Sequence, residues 1–137
     1  VDKVQHWENV YQTKSPLEVS WYEPDPQQSV ELILTAAGSS RGRVIDIGGG
    51  QSFLVDRRRY LDLLKRTLPI GGHFVVGTFA IGGPEKCSGL PIQQYDAATM
   101  EEALGQSFEP VKCSSYEHTT PSGKPQLFFF GVFRRVM

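Results

Sequence analysis

The sequence predicts a mixed α/β domain built around one strand–turn–helix–strand unit, and three observations carry that expectation. Arg43-Val44-Ile45-Asp46-Ile47 runs straight into Gly48-Gly49-Gly50; a short apolar run closed by glycine reads as a buried parallel strand followed by a tight turn. Phe53 to Thr67 places Tyr60, Leu61, Leu64 and Leu68 on one side at helical spacing. After the turn Pro69-Ile70-Gly71-Gly72, His73 to Phe79 reads as a second buried strand. Strand, glycine turn, helix and strand make one right-handed βαβ unit over 43–79.

The flanking elements follow from local chemistry. Asp2 can cap a first helix with Val4, Trp7, Val10 and Tyr11 on one face, ended by Ser15-Pro16. A short aromatic link, Val19-Ser20-Trp21-Tyr22, stops at Pro24. Asp25 is expected to cap, and Pro26 to start, a second helix with Val30, Ile33, Leu34 and Ala37 inward and Gly38 closing it. Residues 1–38 thus supply two helices and a link whose aromatic residues read as core packing. Ala80 to Gln94 is a loop rich in glycine and proline, long enough to point to a role at a site mouth. Asp96 caps a short helix with Met100, Ala103 and Leu104 inward and Gly105 at its end. Phe108 to Glu117 and Gln126 to Arg135 read as strands joined by the turn Pro121-Ser122-Gly123-Lys124. Leu127-Phe128-Phe129-Phe130 is too apolar for a solvent face, so that strand belongs inside the sheet.

Composition narrows the function classes. A chain of 137 residues allows one domain with one modest core, and 39% hydrophobic with 21% charged residues is ordinary for a globular protein. A net charge of −1 supplies no field for nucleic acid or anionic lipid, so neither is an expected partner. Cys87 and Cys113 form no metal-ligand spacing and no disulfide framework, which makes a reducing cytoplasm the default and a metal site unexpected. No stretch reads as a secretory leader or as a bilayer span.

Asp46 is the odd residue of the first strand. A carboxylate there usually orders the glycine turn or reaches a ligand above the strand's carboxyl end. The dinucleotide fingerprint fails because its sixth position is Phe53. What remains, D-x-G-x-G, resembles motif I of the class I methyltransferases that use S-adenosylmethionine. Other segments resemble the same family. They are His6-Trp7-Glu8-Asn9-Val10-Tyr11 through Glu18-Val19-Ser20-Trp21-Tyr22, then Leu68-Pro69-Ile70-Gly71-Gly72-His73-Phe74. Thr78-Phe79-Ala80, Gly83-Pro84-Glu85-Lys86-Cys87-Ser88-Gly89-Leu90-Pro91 and the terminal hairpin complete the set. The resemblance covers nearly every residue. It implies a truncated Rossmann-like methyltransferase fold of about four strands, order 1-5-7-6 in the family's labels. That sheet would hold a parallel pair plus a C-terminal antiparallel hairpin, with flanking helices.

One section of the family pattern is missing. Its second, third and fourth strands would lie between Asp56 and Arg57, a gap on the order of 60–80 residues at about 30 per βαβ unit. That section carries the family's ribose-binding acid and adenine contacts; Asp56 and Asp62 fall on a helix here and read as surface residues. Two origins fit the short form, a natural loss and an excision. Without its neighbours, the strand 44–47 becomes an unpaired edge, so the chain is expected to be a homodimer through that edge or by exchange of an element.

The resemblance also implies a site. Asp46, Gly48, Gly49 and Gly50 would lie beneath the methionine part of S-adenosylmethionine, with Trp7, Tyr11, Trp21 and Tyr22 closing over its sulfonium. Thr78, Phe79, Cys87, Ser88 and Gly89 would face a small-molecule acceptor. Methyl transfer is an in-line displacement in which the protein mainly positions donor and acceptor. The alternative is a non-catalytic remnant of the fold, acting as a dimerising or small-molecule-binding module. A glycine turn filled by phosphate or sulfate is a third reading. His6, His73 and His118 have no partners at motif spacing and read as structural, and Cys87 lacks a positioned histidine for nucleophilic work.

Overall fold

Alternation along one strand sets the layers. In β5 (Pro125–Arg135), Leu127, Phe129 and Phe133 pack to one side of the sheet while Phe128, Phe130 and Val132 pack to the other. A strand that apolar on both faces is stable only at the centre of a sheet with cover above and below. It has both. The computed structural model describes residues 2–20, 22–38 and 57–137. Among them β5 lies between β1 (His73–Phe79) and β4 (Phe108–Thr119), antiparallel to each, in the order β1-β5-β4. Val132 and Phe133 are wholly buried.

Two helical layers cover the sheet. On one face α3 (Arg57–Thr67) brings Tyr60, Leu61 and Leu64, and α4 (Ala97–Leu104) brings Met100 and Leu104, against Phe108, Phe129 and Phe133. On the other face α2 (Gln27–Ala37) seats Leu32 and Ala36 against Val75, Phe130 and Val132. The described protein is therefore a mixed α/β structure with four helices, counting α1 (Lys3–Thr13), and a three-stranded antiparallel sheet.

Caps account for most helix ends. The Asp2 carboxylate accepts from the Val4 and Gln5 amides at 3.0 and 3.3 Å. Asp96 and Thr99 form a reciprocal capping box at α4. The start of α2 corrects the sequence reading. Pro26, not Asp25, is the cap position, and no side chain caps there; the Asp25 carboxylate takes the Gln27 side-chain amide instead. The inward face is corrected too. Leu32 is 2% exposed, whereas Val30 and Leu34 are 47% and 66% exposed. Apolar residues occupy more than half of this helix's circumference, so spacing could not choose a face within that arc; docking on Phe130 and Val132 does. In α1, Val10 is buried but Val4 and Tyr11 are exposed.

The loop after β1 holds a short hairpin. Here β2 (Lys86–Cys87) pairs with β3 (Leu90–Pro91) across Ser88 and Gly89, both at positive φ (50° and 82°). Two such residues form the mirror-image turn that closes tight hairpins. At the far end of the sheet Arg135 ties three elements together. Its guanidinium donates to the carbonyls of Lys65 and Leu68, satisfying the end of α3, while its backbone exchanges hydrogen bonds with Gly71 and Gly72 ahead of β1.

The strand 43–47, the glycine turn and Trp21 lie outside the described residues. Among the described residues no parallel strands pair, and the parallel contact present is the isolated bridge between Ala80 and Tyr95. No described helix is long and apolar enough to cross a membrane.

Gly77 shows how closely β1 and β5 fit. A Cβ on it would lie 2.7 Å from Cε1 of Phe130, its cross-strand partner, whose ring is itself buried. Gly77→Ala is expected to cost about 1–3 kcal/mol, read as a lower urea midpoint at unchanged m-value.

Candidate functional site

Chain direction brings part of the expected site to the carboxyl end of β1. Cys87 and Ser88 on the β2–β3 turn, Val19 and Ser20 on the link, and Thr120, Pro121, Ser122 and Gln126 around the β4–β5 turn line a polar cleft of about 310 Å³. Lys14, Glu18 and Lys86 stand at the same cleft. A second cleft of about 330 Å³, lined by Tyr11, Pro16, Tyr22 and Glu23, shares Lys14 and Val19 with the first. Two adjoining clefts, one rich in hydroxyls and ammonium groups and one aromatic, thus meet under the link.

The link is held by side chains of β4. The buried His118 places Nε2 2.9 Å from the Ser20 carbonyl; a carbonyl only accepts, so Nε2 carries the proton in this contact. Its Nδ1 lies 3.6 Å from a Glu23 carboxylate oxygen, and that same oxygen accepts from the Tyr116 hydroxyl at 3.1 Å. The imidazole also meets the Phe128 ring edge-on, with centroids 5.7 Å apart. His118 therefore works structurally, fastening the segment before α2 to the sheet.

Electrostatics do not activate the Cys87 thiol. Burial pushes the Cys87 thiol up, and hydrogen bonds with Ser88 and Ser20 and the charge of Lys14 offset this only in part, so the thiol stays protonated near neutral pH. Tyr11 is likewise raised, first by partial burial and then by Cys87, which places its hydroxyl in the same neighbourhood. Glu23 raises Tyr116 through the hydrogen bond and its charge.

The expected site residues divide three ways. Asp46, Gly48, Gly49, Gly50 and Trp21 lie outside the described residues. Tyr11, Tyr22, Cys87 and Ser88 gather at the two clefts. The others do not join them. Thr78 and Phe79 are consecutive strand residues and so point to opposite faces, which prevents both from facing one acceptor. Phe79 stacks on Phe128 at 4.9 Å, and Gly89 is exposed at the turn. Trp7 packs edge-on to His6, whose Nε2 is buried without a hydrogen-bond partner. Sequence reasoning missed Lys14, Glu18, Ser20, Glu23, Thr120 and Gln126. The one signal that could have found the cleft was Ser88-Gly89, a dipeptide that marks tight turns.

No group of three or more potential metal ligands occurs among the described residues. No protein-family model matches the chain, and no curated protein or solved structure matches it significantly.

The latch gives a direct test. His118→Ala removes the bond to Ser20 and is expected to speed tryptic cleavage after Lys14 about three- to tenfold, against no change for the exposed Ser115→Ala. The raised Tyr116 pKa means that its hydrogen bond to Glu23 is fully present below about pH 10, the ordinary tyrosine value, and is lost as pH rises through the higher folded value. Protection of the link is therefore expected to fall in strong alkali, and Tyr116→Phe to lack that step.

Proposed function

We propose that this chain has a methyltransferase-like fold that binds S-adenosylmethionine, and that it transfers the methyl group to a small-molecule acceptor once its donor site is completed. The observation that carries the reading is the fastening of the N-terminal link. His118 and Tyr116 hold the segment bearing Tyr22 beside the Cys87–Ser88 turn, at the carboxyl end of β1. In open, mostly parallel α/β sheets, ligands bind at that end of the strands. Tyrosine faces beside the aromatic cleft suit a sulfonium cation, and the glycine run 48–50 would hold the methionine part. The strand order β1-β5-β4 supports the reading because it equals the 5-7-6 portion of the expected sheet. The strand read at 43–47, which lies outside the described residues, would take the outer edge of β1 in parallel.

Completion is needed because the section that would carry the ribose and adenine contacts is missing. Loss of a charge-assisted pair of hydrogen bonds costs about 2–4 kcal/mol, or two to three decades of affinity. A second copy is the nearest source of the missing contacts, through the edge of strand 44–47 or exchange of an element. Light scattering at micromolar concentration is expected to give twice the 15.3 kDa chain mass; a monomer mass removes this part of the proposal.

A second reading has its own support. At about 310 and 330 Å³, each cleft lies at the small end of the roughly 300–1,000 Å³ range of ligand pockets. That favours a non-catalytic, small-molecule-binding remnant of the fold. Calorimetry with S-adenosylmethionine separates the two: heat saturating at micromolar donor is expected for the first, and none at millimolar donor leaves the second.

A further inference from the structure

We propose that the polar cleft between Lys14 and Lys86 binds the carboxylate or phosphate group of a small organic anion. Charge is the first reason. The chain as a whole is at −1, yet this cleft gathers two ammonium groups and a single carboxylate, Glu18. Glu18 already accepts the Ser15 amide at 2.8 Å in a capping box. Neither Lys14 nor Lys86 has a carboxylate partner among the described residues, whereas Lys112 is paired with Glu31 at 2.6 Å.

Donors supply the second reason. Ser20, Ser88, Thr120 and Ser122 line the cleft, Ser20 and Ser88 with their hydroxyls engaged by Cys87. Thr120 Oγ1 accepts the Lys124 amide at 3.0 Å and lies 2.9 Å from Ser122 Oγ. With Thr120 donating in that pair, the Ser122 hydrogen is left for a ligand. The buried Cys87 thiol, uncharged near neutral pH, adds no opposing charge. Ammonium groups and hydroxyl donors around a space of about 310 Å³ complement an oxyanion and repel a sulfonium. The aromatic cleft also holds Lys14, but the Glu23 carboxylate offsets that charge there and leaves the cation a separate place.

Naming this anion the methyl acceptor rests on the proposed function; the anion site itself rests on the cleft alone. The test titrates the full chain with inorganic phosphate and, separately, benzoate at low salt, following backbone amide resonances. Saturable shifts are expected at Lys86–Gly89 and Thr120–Ser122, with at least about tenfold weaker binding in Lys14→Met/Lys86→Met and unchanged binding in Lys3→Met. The replaced lysines are exposed, and the amide spectrum reports whether each variant is folded; a disturbed double variant is replaced by the two single ones, each expected to weaken binding severalfold. Absence of saturable shifts at about 50 mM of either anion, or variants that bind like the parent, overturns the proposal. Phosphate binding without donor heat keeps the anion site and removes the methyltransferase reading; donor heat without anion binding does the reverse.

Discussion

Everything described in this protein depends on β5 being a central strand. Its side chains are apolar in both directions, and either face left uncovered would expose a row of phenylalanines to water. Sheet neighbours on both edges and helices above and below satisfy it together, which is why two separate hydrophobic clusters share one strand. Burying a phenylalanine is worth about 1.5–3 kcal/mol, so Phe129, Phe130 and Phe133 outweigh any single cap or ion pair. Close fit follows from the same crowding: the ring of Phe130 covers Gly77 because no side chain there could share the space.

Polar detail is confined to the ends of this layer. At one end Arg135 satisfies helix carbonyls that docking would otherwise bury unpaired. At the other, His118, Tyr116 and Glu23 fasten the link. The clefts owe their existence to that fastening, since Val19 and Lys14 line both only while the link lies against β4 and the β2–β3 turn.

Legibility in the sequence followed the strength of local signals. His73–Phe79, the Asp96 cap and the interior position of Leu127–Phe130 were readable because period and capping chemistry agree there. The face of α2 was not, because Val30, Leu32, Ile33, Leu34 and Ala36 satisfy more than one helical stripe, and only the partner surface selects among them. The latch was invisible for a different reason. His118 and Ser20 are 98 residues apart, and no local spacing encodes a contact of that separation. Of the expected site, Tyr11, Tyr22, Cys87 and Ser88 converge because loop and link share one end of the sheet; Thr78 with Phe79 could have been doubted from the strand period alone.

The position of β5 also orders events during synthesis. Residues 73–79 and 108–119 leave the ribosome first, yet neither has a strand neighbour among the described residues until 125–135 follow. The twelve-residue β4 in particular has no described strand partner before β5, and unpaired strand backbone is the state in which chains most readily pair with other copies. The described sheet closes only when β5, its middle strand, enters between β1 and β4.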